Sequence, residues 1–212
     1  PILDRIGGPN DLRDLSREQL LQLCREIREF TADAVQKTGG HISSSLGTTE
    51  LTVALHRVFT SPRDKLVWDT GHQGYVHKLL TVRKDGFASL RQFGGMSGFL
   101  LRTESEHDQF GAGHAGTSIS AAQGMAVARD LGGGSEHVVA IIGHGPRAAG
   151  MAREAQHNIR AAPTRSRLDR HLTPSSASAA AIIDLSSAAT LSGSGSGTCV
   201  SRMRFASPSA RS

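Results

Sequence analysis

Two short apolar runs with β-prone side chains, Lys65-Leu66-Val67-Trp68-Asp69 and His137-Val138-Val139-Ala140-Ile141-Ile142, each lead into a glycine–histidine turn. The turns are Gly71-His72-Gln73-Gly74 and Gly143-His144-Gly145. Helical patterns lie before, between and after the two runs. This alternation restricts the chain to the α/β class, with a parallel sheet carrying helices on both faces. Ligands in that class sit beyond the carboxyl ends of the strands. Asp69-Thr70-Gly71-His72 and Gly143-His144-Gly145 are therefore site candidates by position.

Ser16 and Gln19 have capping-box spacing, and Leu20, Leu23, Cys24, Ile27, Phe30, Thr31, Ala34 and Val35 recur at helical intervals, which predicts a helix over 17–37. Gly39-Gly40 is a helix stop. A second helical pattern spans 50–58, and a third follows the first turn over 75–82. Residues 94–116 are glycine-rich with few apolar repeats. Residues 117–131 read as a helix of small side chains suited to close packing, and a last helix follows the second turn to residue 158.

Composition changes at Asn158. Residues 159–212 contain 13 Ser and 10 Ala and no Lys or Glu, and runs such as Ser192-Gly193-Ser194-Gly195-Ser196-Gly197 cannot bury enough apolar area to offset the entropy of ordering. The expectation is a folded domain over 1–158 and a disordered Ser/Ala/Arg-rich tail over 159–212. Arginine without lysine, with alanine, serine, proline and glycine, is also what out-of-frame translation of a GC-rich gene produces. The tail holds seven Arg and two Asp, which accounts for the net charge of +5 and the pI of 9.9; residues 1–158 carry 17 basic and 17 acidic side chains. The folded candidate is neutral, so nucleic acid is not an expected partner. Cys24 and Cys199 form neither a disulfide framework nor a cysteine zinc site. No run approaches the roughly 20 apolar residues of a membrane span, and Pro1-Ile2-Leu3-Asp4-Arg5 lacks the regions of a signal peptide. A soluble, cytoplasmic protein with no membrane partner is expected.

Gly111-Ala112-Gly113-His114-Ala115-Gly116 fits G-x-G-x-x-G, but polar residues precede it where a dinucleotide fingerprint needs a strand. A glycine loop ahead of a helix start at Thr117-Ser118 suits a diphosphate. Taken alone it reads as an ordinary turn and helix cap. His41, His72, His77, His114 and His144 each lie in or beside a glycine-bearing turn. Several histidines at one end of a sheet supply donors to phosphate or carboxylate, or proton transfer near neutral pH. Zinc is the competing reading, without the i, i+4 histidine spacing or a nearby cysteine that would favour it.

Read in order, Thr38-Gly39-Gly40-His41, Ser45-Leu46-Gly47, Glu50-Leu51-Thr52-Val53-Ala54-Leu55-His56, Lys65-Leu66-Val67-Trp68-Asp69, Gly71-His72-Gln73, His77-Lys78, Gly94-Gly95-Met96-Ser97-Gly98-Phe99, Glu104-Ser105-Glu106 and Thr117-Ser118-Ile119-Ser120-Ala121-Ala122 resemble the amino-terminal domain of the 1-deoxy-D-xylulose-5-phosphate synthases. The resemblance runs from Leu3 to about Asn158. It implies a transketolase-like transferase that uses thiamine diphosphate and Mg2+ to condense pyruvate with glyceraldehyde 3-phosphate, releasing CO2, in isoprenoid, thiamine and pyridoxal precursor synthesis. It also implies a homodimer. By motif position, His72 contacts thiamine diphosphate, Gly113, His114 and Ala115 line its diphosphate with Gly145 and Pro146 nearby, and His41 assists proton transfer or substrate binding.

The departures from that pattern fall where the chemistry belongs. Gly143-His144-Gly145 replaces the family's Gly-Asp-Gly, placing His144 at a magnesium-ligand position, and magnesium prefers hard oxygen donors to imidazole. Pro146 and Arg147 stand where the family has small or apolar residues. The family's second ligand, an asparagine about 29 residues further on, has no counterpart, nor does the domain carrying the glutamate that activates the cofactor. Ala112, Ala115 and Gly116 remove hydroxyls from the diphosphate loop. The expectation is an incomplete cofactor-binding domain that is inactive alone; the alternative is a non-catalytic fragment, a degraded-gene product or a dimerisation partner of an intact synthase.

Overall fold

Ser16 and Gln19 exchange hydrogen bonds at the start of α1 (Arg17–Thr38): Gln19 N–H donates to Ser16 Oγ and Ser16 N–H to Gln19 Oε1. This satisfies two of the amides a helix start leaves open. Gly39 ends the helix at φ 77°, and its N–H donates to the Val35 carbonyl at 2.8 Å. The computed structural model describes residues 1–161 and, beyond them, the backbone of two short strands.

Three short helices follow α1: α2 (Ile42–Gly47), α3 (Thr49–Val58) and, after β1 (Lys65–Trp68) and its turn, α4 (Tyr75–Leu80). Beyond the glycine-rich region come α5 (Ser118–Leu131), β2 (Val138–Gly143), α6 (His144–Arg147), α7 (Gly150–Ala161), β3 (Asp169–Leu172) and β4 (Ala180–Asp184). The expected helix after the second turn is divided in two. Ala148 and Ala149 N–H groups bond to the Gly145 and Pro146 carbonyls, the tight three-residue spacing of a helix end, and α7 restarts at Gly150.

The strands β1 and β2 pair in parallel, Lys65 opposite Val138 through Trp68 opposite Ile141. The sheet then departs from the all-parallel expectation, because β4 pairs antiparallel with β2 and β3 antiparallel with β4, in the order β1-β2-β4-β3. A strand edge left open offers unpaired N–H and C=O groups, and a short return of the chain with Ala180-Ala181-Ile182-Ile183 satisfies them. Both added strands fall within residues 159–212, the segment whose composition predicts disorder. The remainder of that segment lies outside the described residues.

Strand alternation places helices on both faces of the sheet. Val67, Val138, Ala140 and Ile142 pack with Ile119, Ala122 and Ala126 of α5 and Ala152, Ala155 and Ile159 of α7. Leu66, Trp68, Val139 and Ile141 face Leu55 of α3 and Leu100. The inward stripe of α1, Leu20, Leu23, Cys24, Ile27 and Val35, joins a further core with Leu12, Tyr75, Leu79, Phe87 and Leu90. Each such aliphatic side chain contributes about 1.5–3 kcal/mol by leaving water. Among the described residues no helix is long and apolar enough to cross a membrane.

Candidate functional site

The β1 turn, the loop over 111–116 and the β2 turn meet at the carboxyl end of the parallel strands. A Cβ on Gly71 would lie 2.6 Å from the Ala112 carbonyl, and one on Gly116 would lie 3.6 Å from Ala149 Cβ. Only glycine fits at position 71, so the Gly71-His72 turn and the 111–116 loop approach backbone to backbone. Gly40, at φ 139°, passes Tyr75 so closely that a Cβ would stand 2.9 Å from its hydroxyl. The two glycine turns bring His41 onto His72: their rings stack at 4.1 Å between centroids, 22° from parallel.

Both histidines line a cleft of about 340 Å3, closed on its other sides by Tyr75, Arg91, Gln92 and residues 95–99. Burial, with smaller contributions from the His41 and Arg91 charges, lowers the His72 pKa, so His72 is a neutral hydrogen-bonding group at physiological pH. The Tyr75 hydroxyl is buried, and burial raises its pKa against smaller opposing effects of the Arg91 charge and the His41 backbone. Sequence reasoning identified His41 and His72 but not Tyr75 or Arg91. Arg91 reaches the cleft from a φ of 63°, a left-handed conformation that side-chain type does not announce.

The other predicted positions lie apart from this cleft. Gly113, His114 and Ala115 are exposed on the loop before α5, and Gly145 and Pro146 lie in α6, which His144 opens. Part of the helix start expected to face a diphosphate is engaged from within the chain. Asp69, 1% exposed, accepts the Gly116 N–H at 2.8 and 3.0 Å and the Ser118 N–H at 3.1 Å. An internal carboxylate thus offsets part of the positive end of α5.

His77 is a correction to the loop-histidine reading: it is wholly buried in α4, because its helix turns it inward from the glycine turn. Its Nδ1 lies 2.8 Å from His56 Nε2, and its Nε2 lies 3.2 Å from Asp108 Oδ1. One of His56 Nε2 and His77 Nδ1 donates to the other, and among the described residues His56 Nδ1 has no hydrogen-bond partner. Burial drives both histidine pKa values down, against the pull of Asp108 on His77. Arg83 grips Asp108 with bonds of 2.8 and 2.7 Å and reaches Glu104 at 3.0 Å. Burial alone would raise the Asp108 pKa, but the nearby His77 ring, the Arg83 hydrogen bonds and the guanidinium charge hold it far below the usual range.

Lys78, fully buried, pairs with Glu104 and donates to the Ser97 carbonyl at 2.7 Å, while Glu104 accepts the Ser97 N–H at 2.8 Å. The network therefore anchors the segment that carries Ser97, Gly98 and Phe99 into the cleft wall. His77, Lys78 and Glu104 lie in segments that carry the family resemblance, while Arg83 and Asp108 are marked only by their burial and their bonds.

The profile of the 1-deoxy-D-xylulose-5-phosphate synthases matches residues 3–168. The chain belongs to that family. Similar curated proteins, each a 1-deoxy-D-xylulose-5-phosphate synthase, come from Leptothrix cholodnii at 59% identity, a Polaromonas species at 60%, and Caldanaerobacter subterraneus subsp. tengcongensis at 56%, each over 158 residues. Those alignments cover 74% of this chain and 25% of each relative, so the chain spans about a quarter of their length.

A synthase of this family implies thiamine diphosphate. The residues present do not fit its magnesium-bound diphosphate. Magnesium demands oxygen donors, yet Asp69 is engaged by two backbone amides, and no three His, Cys, Asp or Glu side chains among the described residues gather to hold a metal. The loop side chains at Ala112 and Ala115 bear no hydroxyl, and imidazole at position 144 offers nitrogen.

Proposed function

We propose that this chain is the diphosphate-side lobe of a 1-deoxy-D-xylulose-5-phosphate synthase and is not catalytic alone. The reaction of the assembled enzyme is the condensation of pyruvate with glyceraldehyde 3-phosphate with loss of CO2. Family membership over residues 3–168 carries this reading, supported by the stacked His41–His72 pair in its cleft. In this lobe His72 acts as a neutral hydrogen-bonding group toward thiamine diphosphate, and His41 handles a proton or the substrate. Gly113, His114, Ala115, Gly145 and Pro146 form the cofactor-facing backbone, with His144 at the metal position. The setting is cytoplasmic, and a second copy or the remaining three quarters of a synthase completes the site.

The non-catalytic reading of the isolated chain rests on the misfit between its donors and magnesium. Both parts are tested by mixing. The chain is combined with a fragment of the Leptothrix cholodnii relative that carries everything beyond the matched 158 residues, and glyceraldehyde 3-phosphate-dependent CO2 release from pyruvate is measured. The expected result is background activity for this chain and a gain of about 10²-fold or more for His144→Asp, the scale of restoring one electrostatic contact to a reacting centre. Background activity for His144→Asp as well would refute the lobe assignment.

A further inference from the structure

Beside the β2 turn lies a second cavity, of about 260 Å3, lined by Arg147, Ala148, Arg153 and Gln156. Arg147 is the last residue of α6, and Arg153 lies in the first turn of α7. The Arg153 N–H donates to the Ala149 carbonyl at 3.1 Å; amides ahead of such a first bond have no intrahelical acceptor. Neither guanidinium has a carboxylate within ion-pair distance among the described residues, and Glu154 does not line the cavity. Gln156 is 8% exposed and makes no hydrogen bond among the described residues, so a largely buried side chain borders the same space with its amide open to a ligand.

Two permanent positive charges, a helix start and an amide free to donate, with no acid among the described residues of the lining, match the chemistry of a phosphoryl anion. The cavity lies beside the Gly143-His144-Gly145 turn. We propose that this cavity binds a phosphate or diphosphate directly, through Arg147, Arg153 and Gln156, without a metal ion. The proposal does not depend on the synthase reading, because it concerns an anion and not a reaction.

The test is calorimetric titration of the whole chain with inorganic pyrophosphate in EDTA, repeated with inorganic phosphate and with excess magnesium. Saturable binding of pyrophosphate in EDTA is expected, with no strengthening by magnesium. The same binding to phosphate at lower affinity would mean a site for one phosphoryl group, and binding of pyrophosphate alone a site for two; either supports the proposal. Arg147→Ala/Arg153→Ala should weaken binding by at least about tenfold, the scale of lost charge-assisted contacts. Arg202→Ala/Arg204→Ala, which alters tail arginines only, should leave it unchanged. Gln156→Leu should weaken binding severalfold, with its melting curve as the check on folding. No saturable binding, a requirement for magnesium, full binding by the Arg147/Arg153 variant, or loss in the Arg202/Arg204 variant would each overturn the proposal.

Discussion

Replacing Asp69 with alanine should cost several kcal/mol and loosen one place in the molecule. The carboxylate is 1% exposed and accepts the N–H groups of Gly116 and Ser118, both buried. Each buried amide left without an acceptor costs about 1–3 kcal/mol, so Asp69→Ala should lose about 2–6 kcal/mol. Asp69→Asn keeps one oxygen acceptor and should lose roughly half of that. Urea unfolding followed by circular dichroism reads the loss as a lower midpoint at constant slope. Amide hydrogen exchange should rise at residues 116 and 118 while the α1 core keeps its protection. A stability change within about 0.5 kcal/mol, the scatter of neutral surface substitutions, would refute the reasoning. So would a large loss with unchanged exchange at those two amides.

Three further outcomes follow from the buried groups. Glu104→Ala leaves Lys78 buried opposite only a carbonyl and should cost about 3–5 kcal/mol, whereas Lys78→Met, which removes the buried charge and leaves Glu104 paired with Arg83, should cost less; equal losses in urea unfolding would contradict this. His56 and His77 have pKa values below that of an unfolded histidine, so their contribution is complete above about pH 6.5 and is lost as pH falls, by up to about 1.4 kcal/mol per pH unit for each. A flat stability profile from pH 7 to 5 would be inconsistent with that. Burial pushes the Cys24 thiol up to about 12, so it should resist a thiol reagent in the native protein and react on unfolding, with mass mapping to separate it from Cys199.

Periodicity and capping carried most of the fold. The helix predicted over 17–37 is Arg17–Thr38, and the runs at 65–69 and 137–142 are strands at Lys65–Trp68 and Val138–Gly143. Local pattern succeeded there because each element buries a single continuous stripe or face. It failed where tertiary contact decides. The α2 helix has three consecutive serines and no apolar repeat, and Ser45 is fixed by donating to the His72 carbonyl at 2.6 Å. Residues 94–116, a bare glycine-rich region in the sequence, are shaped by Glu104 and Asp108 accepting backbone amides of Ser97 and Leu101. His41 and His72 were legible through their glycine turns. Asp69 was legible as a position at a strand end, but not as the acceptor that closes the α5 start, since that role needs the loop brought back from 47 residues away.

The most direct measurement is titration of the purified chain with thiamine diphosphate, with magnesium and with EDTA. An account in which Asp69 engages part of the α5 start and the turn after β2 carries no side-chain oxygen donor predicts the same affinity in both. An affinity at least about tenfold higher with magnesium, about 1.4 kcal/mol of metal-linked binding, would contradict it.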